Sequence, residues 1–198
     1  MGHRLSWIGV RGKAPDKVLA ELGLKPTGVG EEIPESPFTA ALLPNEWYIV
    51  VSNESLLYPT DDILSNLSRG CDVITCTLSE TVMFSEAAQW TNGVRFWHII
   101  HDEEKSFNFD IVGNIPEAFH SIRDKLMKEQ EQSDATKGKY QVDYAFDVPI
   151  DLAEAVTSFR HDKDILYLDE DTEHPFEILE AIAPPAKPLS FWQRLFGT

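Results

Sequence analysis

The chain has 198 residues, 42% of them hydrophobic and 25% charged, and a formal net charge of −16. That length suits one sizeable core rather than two, and the charged fraction is that of an ordinary globular protein, which sets aside global disorder. The negative charge sets aside nucleic-acid backbones and anionic membrane surfaces as partners, since both require a positive patch, and leaves a basic protein as the partner it would steer.

No run approaches the ~18 consecutive apolar residues of a membrane span, and residues 1–13 lack the apolar stretch of a signal peptide. Cys71 and Cys76 fall in or beside one expected strand. If that strand is extended they stand about 16 Å apart, too far for a disulfide. Two reduced thiols fit a reducing compartment, so a cytoplasmic location is expected.

In chain order, residues 5–12 read as a first strand, with Trp7, Ile8 and Val10 supplying β-favouring bulk. A short helix follows, with Pro15 in its first turn, Val18, Leu19 and Leu22 on one stripe, and Gly23 as its stop. Residues 25–37, rich in Pro and Gly, read as a loop. Residues 38–43 and 46–52 form a hairpin turning at Pro44-Asn45, and a second helix over residues 60–69 has Thr60 as N-cap and Gly70 past its end.

Residues 73–78, 82–90, 94–101 and 107–112 are four strand-like runs with short breaks, the signature of an antiparallel meander. Asn92-Gly93 is a strong hairpin signal, because both central positions of a type I′ turn need positive φ. An unbroken register from that turn sets Trp90 against Arg95, Ala88 against Trp97, Glu86 against Ile99 and Phe84 against His101. The next turn sets Ile99 against Phe109, and His98 against Asp110. One face then collects Val82, Phe84, Ala88, Trp90, Trp97, Ile99, Phe107, Phe109 and Ile111 as the expected core.

A third helix begins near Asn114, with Glu117 at capping-box spacing and Ile115, Phe119, Ile122 and Leu126 forming its apolar stripe. The polar residues 129–139 are expected to end it. Residues 140–146 read as a strand leading into a fourth helix with Leu152, Val156 and Phe159 on one side, and residues 165–168 as a last short strand. The fold expected is α+β: an antiparallel meander centred on residues 73–112, with about four helices packed on it. Residues 1–183 form the domain, and residues 184–198 a Pro-rich linker with an amphipathic aromatic end.

Two constellations on the meander bear chemistry. His98 opposite Asp110, with Ser85 diagonal to it, is the residue set that nucleophilic catalysis uses, although a flat strand face offers no oxyanion hole; an ordinary cross-strand pair is the alternative. Glu86 is expected on the core face with Arg95 and His101 on the same side, where it is either paired with Arg95 or perturbed. Arg95 beside Trp90 suggests a cation–π pair. His98 and His101, three apart on a strand, face opposite ways and cannot chelate one ion, and neither a zinc spacing nor a calcium loop is present, so no metal and no cofactor is expected. Gly28-Val29-Gly30 is followed by two glutamates, which would repel a phosphate.

Charge is concentrated between residues 161 and 180, where eight carboxylates stand against Lys163 alone and supply −7 of the −16. Asp169, Glu170 and Asp171 at the centre of that run, and Phe191, Trp192, Leu195 and Phe196 in the tail, are the expected binding residues. The function expected is a non-enzymatic acidic interaction domain for a basic protein partner, of which toxin neutralisation is one concrete form by analogy of composition alone. The alternatives are a small hydrolase on the His98, Asp110 and Ser85 face, and a ligand-binding protein with a pocket beneath the Asn114 helix.

Overall fold

The computed structural model describes residues 4–53, 59–102, 109–137, 142–163 and 175–182. In chain order the elements are β1 (Arg4–Arg11), α1 (Pro15–Leu22), β2 (Leu24–Glu31), β3 (Phe38–Leu42), β4 (Tyr48–Asn53), α2 (Asp61–Leu67) and β5 (Asp72–Ser79). There follow β6 (Phe84–Thr91), β7 (Val94–Asp102), β8 (Asp110–Gly113), α3 (Ala118–Lys137), α4 (Asp147–Thr157) and β9 (Phe176–Ala181). The strands form one antiparallel nine-stranded sheet in the order β2-β9-β3-β4-β1-β5-β6-β7-β8, so the architecture is α+β. The meander β5 to β8 is one half of that sheet.

Both faces of the sheet are covered. Trp7, Ile49, Ile74, Cys76, Trp97 and Ile99 pack with Phe119 and Leu126 of α3 and with Ile150 and Leu152 of α4. Ile8, Val10, Val50, Val73, Ala88 and Trp90 pack with Val18 and Leu19 of α1 and with Leu64 and Leu67 of α2. A strand buried on both sides loses the apolar–polar alternation of a half-exposed one. The six inner residues of β1 are accordingly all buried. The expectation of a single core face is therefore corrected: Ala88 and Trp90 belong to one layer, Trp97 and Ile99 to the other.

The physical cause is a bulge. Asn92 and Gly93 both have positive φ, 51° and 84°, as the turn requires, and Trp90 does face Arg95. The register then shifts: Gln89 faces Trp97, so Phe96 is an extra residue on β7, and Ala88 faces His98 and Glu86 faces Ile100. One inserted residue turns every side chain beyond it to the other face. The β7–β8 pair is displaced by two residues from expectation, with Ile99 opposite Ile111 and Ile100 opposite Asp110. Gly113 closes β8 at φ 85°, where a Cβ would lie 2.2 Å from the Phe96 carbonyl oxygen.

Other elements differ too. Residues 25–37 are not all loop: β2 runs from Leu24 to Glu31 and pairs with β9, with an irregularity between Pro26 and Gly30. Pro and Gly are tolerated there because β2 is an edge strand. β9 was hidden by its glutamates, Glu177 and Glu180, yet Phe176 and Leu179 are buried. The polar stretch after residue 129 continues α3 to Lys137, since Glu, Gln and Lys are good helix formers. Residues 142–146 are a turn, not a strand. The Gln130 side chain serves as their partner, donating to the Val142 carbonyl at 2.9 Å and accepting from the Tyr144 N–H at 2.9 Å. Phe107 and residues 165–168 lie outside the described residues.

Tyr48, 7% exposed on β4, yields a pH prediction. Burial, and then the charge of Glu177, push its phenol from 10.0 up to about 12. A raised folded-state pKa contributes stability that is complete below the unfolded value and is lost as pH rises through the folded one. Urea midpoints of the wild type should fall between pH 10 and about 12, and those of Tyr48→Phe should fall less steeply. Parallel profiles for the two proteins would remove Tyr48 from this account.

Candidate functional site

On the face carrying α1 and α2, cross-strand neighbours form rows. Ser6 pairs with Thr77 and Thr77 with Glu86; one row over, Ile8 pairs with Thr75, Thr75 with Ala88, and Ala88 with His98. On this side Ser6, Thr75, Thr77, Glu86 and His98 make a polar floor at the open end of the layer. The alternation of Thr75 and Thr77 with Ile74, Cys76 and Leu78 in β5 produces it, because alternate strand residues share a face. Pro59, Asp61 and Leu64 at the start of α2 form the opposing wall of a cleft of about 60 Å3, and Trp90 and Arg95 line it as well.

Two side-chain contacts organise the cleft. His98 Nε2 lies 3.2 Å from Glu86 Oε2, with side-chain exposures of 19% and 12%. Arg95 reaches Asp61 at 3.4 Å while its guanidinium stands 5.5 Å from the Trp90 ring centroid, giving the expected cation–π contact. Thr60 caps α2 by accepting from the Ile63 N–H, which places Asp61 in the first helical turn, where a carboxylate is favoured. The beginning of α2 is thereby fixed against the β6–β7 hairpin, where Ser65 donates to the Gly93 carbonyl at 2.7 Å.

The catalytic set read from the sequence is not assembled. Ser85 is fully buried on the α4 side and donates to the Phe146 carbonyl at 2.7 Å. His98 faces the α2 side with Glu86 as its carboxylate, while Asp110 stands opposite Ile100 and Val112 opposite His98. His101, expected on the same side as Glu86, lies on the other face, 1% exposed, with Nε2 2.8 Å from Asp143 Oδ2. Asp143 also accepts from the Ala145 and Phe146 N–H groups, so this pair ties the turn before α4 to the sheet. His98 and His101 thus point to opposite faces. Asp169, Glu170, Asp171, Phe191, Trp192, Leu195 and Phe196 lie outside the described residues.

Ser6, Thr75, Thr77 and Asp61 escaped sequence reading because their convergence depends on β1 lying beside β5 and on α2 crossing β6. The Ile-Thr-Cys-Thr-Leu alternation was the local signal. Comparison with known proteins gives no match to this chain among family models, curated proteins or solved structures.

Proposed function

We propose that this chain is a non-enzymatic, acidic interaction domain that binds a basic protein partner in the cytoplasm. The observation that carries the reading is the net charge of −16, which favours encounter with cationic surfaces. Two further facts support it. The hydroxyl, imidazole and carboxylate nominated for nucleophilic chemistry are divided between the sheet faces or shifted out of register. Cys71 and Cys76 are both free thiols, which suits a reducing compartment. The tail residues Phe191, Trp192, Leu195 and Phe196 are proposed as a second, apolar contact.

The test is affinity capture from source-cell extract at low and high salt, with the full chain and with a version ending before Pro184. A basic protein held at low salt and released at high salt is expected, with weaker retention by the shortened version. Failure to retain any specific protein under either condition would end this reading. The His98–Glu86 pair in its cleft favours a second reading, a small-ligand-binding protein, and a thermal-shift screen showing stabilisation by a small polar compound would support it.

A further inference from the structure

We propose that Asn92 is a modification site, converted to aspartate and isoaspartate by attack of the Gly93 nitrogen on its side-chain amide, and that Ser68 at the end of α2 sets the rate by holding that nitrogen. The inference is independent of the partner reading.

The residues that make the turn also make it reactive. Asn92-Gly93 is the single Asn-Gly step of the chain, and the positive φ of both residues is what selects this pair for a two-residue hairpin. Glycine has no side chain to hinder the approach of its nitrogen to the preceding residue, whereas the other five asparagines precede Glu, Leu, Phe or Ile. Once solvent base removes its proton, the Gly93 nitrogen attacks Asn92 Cγ. The N–Cγ bond forms, the Cγ–Nδ2 bond breaks, and ammonia leaves. Water then opens the cyclic imide at either carbonyl, giving aspartate or isoaspartate. Asn92 is exposed, so water reaches it.

The fold occupies the attacking atom. A two-residue turn closes between its first and fourth residues, here Thr91 and Val94, and gives the Gly93 N–H no acceptor of its own. Ser68, 0% exposed, supplies one: its hydroxyl accepts from the Gly93 N–H at 3.1 Å and donates to the Ser65 carbonyl at 3.3 Å. Ser65 in turn donates to the Gly93 carbonyl at 2.7 Å. Two hydrogen bonds thus clasp Gly93 to α2. An N–H bonded in its neutral form gives up its proton less readily, and the clasp opposes the rotation that carries the nitrogen to Cγ. Conversion therefore waits on α2 parting from the hairpin, a local opening rather than unfolding of the whole domain.

The products differ from the parent in charge and in length. Each adds a carboxylate to a chain already at −16, so converted molecules separate from unmodified ones by anion exchange. Isoaspartate also adds a carbon to the main chain of the turn. Trp90 and Arg95 face each other just beyond that turn and line the cleft under α2, so the lengthened turn disturbs the seat of the helix.

The test incubates the full chain at mildly basic pH and quantifies isoaspartate at Asn92 by peptide mapping of timed samples. Folded wild type is expected to convert at Asn92 before any other asparagine, about tenfold or more slowly than the same chain in urea. Ser68→Ala should convert about fivefold faster than folded wild type, the equivalent of one ordinary hydrogen bond. Arg160→Met, which weakens the domain from the α4 side of the sheet, should stay within about twofold of wild type. Should Ser68→Ala fail to fold, Ser65→Ala breaks the other half of the clasp and should also convert faster. Hydrogen exchange of the wild-type Gly93 amide should then show protection that an open turn amide lacks. Folded wild type converting as fast as the chain in urea, equal acceleration by Arg160→Met and Ser68→Ala, no acceleration in either serine variant, or an unprotected Gly93 amide would each overturn the proposal.

Discussion

Replacing Trp7 by alanine should cost about 3–5 kcal/mol of folding stability, the range for deleting a fully buried large aromatic. Trp7 sits at the middle of β1, itself the central strand of nine, and is 1% exposed. Its register partners are Val51 on β4 and Cys76 on β5, and its ring stands edge-on to Phe159 with centroids 5.2 Å apart. A cavity there is walled by two neighbouring strands and by the segment following α4, so collapse around it is restricted. Against a typical total of about 5–15 kcal/mol, such a loss brings the domain close to its unfolding threshold. Urea denaturation followed by circular dichroism measures it. Phe96→Ala, at a position 50% exposed, is the control and should change stability by about 0.5 kcal/mol or less. Similar losses for both would mean that β1 is not the structural centre described above.

The second large effect should come from Arg160. The chain turns back at Ser158, in the left-handed region at φ 63°, and carries Arg160 along α4. There its guanidinium bonds Asp147, Asp151 and Asp162 while its side chain remains only 11% exposed. Arg160→Met keeps most of the apolar stem and leaves three carboxylates without their cation. Fully buried pairs lose about 3–5 kcal/mol when broken; with the aspartates 25% to 49% exposed, about 2–3 kcal/mol is expected near neutral pH.

The pH dependence of that penalty identifies its cause. Burial pushes the Asp162 carboxyl up, but the hydrogen bond and charge of Arg160 outweigh it and hold the carboxyl below the usual aspartate range. A depressed carboxylate contributes stability above its unfolded pKa of about 3.9 and loses it as pH falls through the folded value. At Asp151 burial dominates, and the carboxyl is raised despite Arg160, so its ionisation weakens the fold as pH rises. Both effects make the loss of Arg160 costliest at neutral pH and milder once the carboxylates are protonated. Urea midpoints of the wild type and Arg160→Met should therefore converge on acidification to about pH 3. An equal gap at both pH values would assign the effect to lost packing of the stem instead.

Sequence and structure divide the molecule along a physical line. Local chemistry was sufficient for α1, where Pro15 and Gly23 delimit the helix, for α2 with its Thr60 cap, and for the positive-φ turn at Asn92-Gly93. These features depend on residues within a few positions of one another, so a linear reading contains all the interactions that decide them. The meander and the α+β class followed from the same signals, as did the Arg95–Trp90 contact, whose residues face each other across the turn before the bulge.

What the tertiary structure decided lies beyond that range. The extra residue at Phe96 is held by the end of β8: the N–H of Asn114, just past the strand, donates to the Phe96 carbonyl at 3.0 Å, and Gly113 leaves room for that oxygen. No pattern within β6 and β7 encodes it, and its single-residue step sends Ser85 and His98 to opposite layers. β9 became a strand because β2 and β3 offer edges on both sides of it, which outweighs the cost of its glutamates. The cleft itself needs Ser6 from β1, Thr75 and Thr77 from β5, Glu86 from β6, His98 from β7 and Asp61 from α2, side chains drawn from across more than ninety positions of the sequence. Residue types and turns are local properties; which strands lie side by side is set by the burial of two whole faces at once, and that alone brings these groups together.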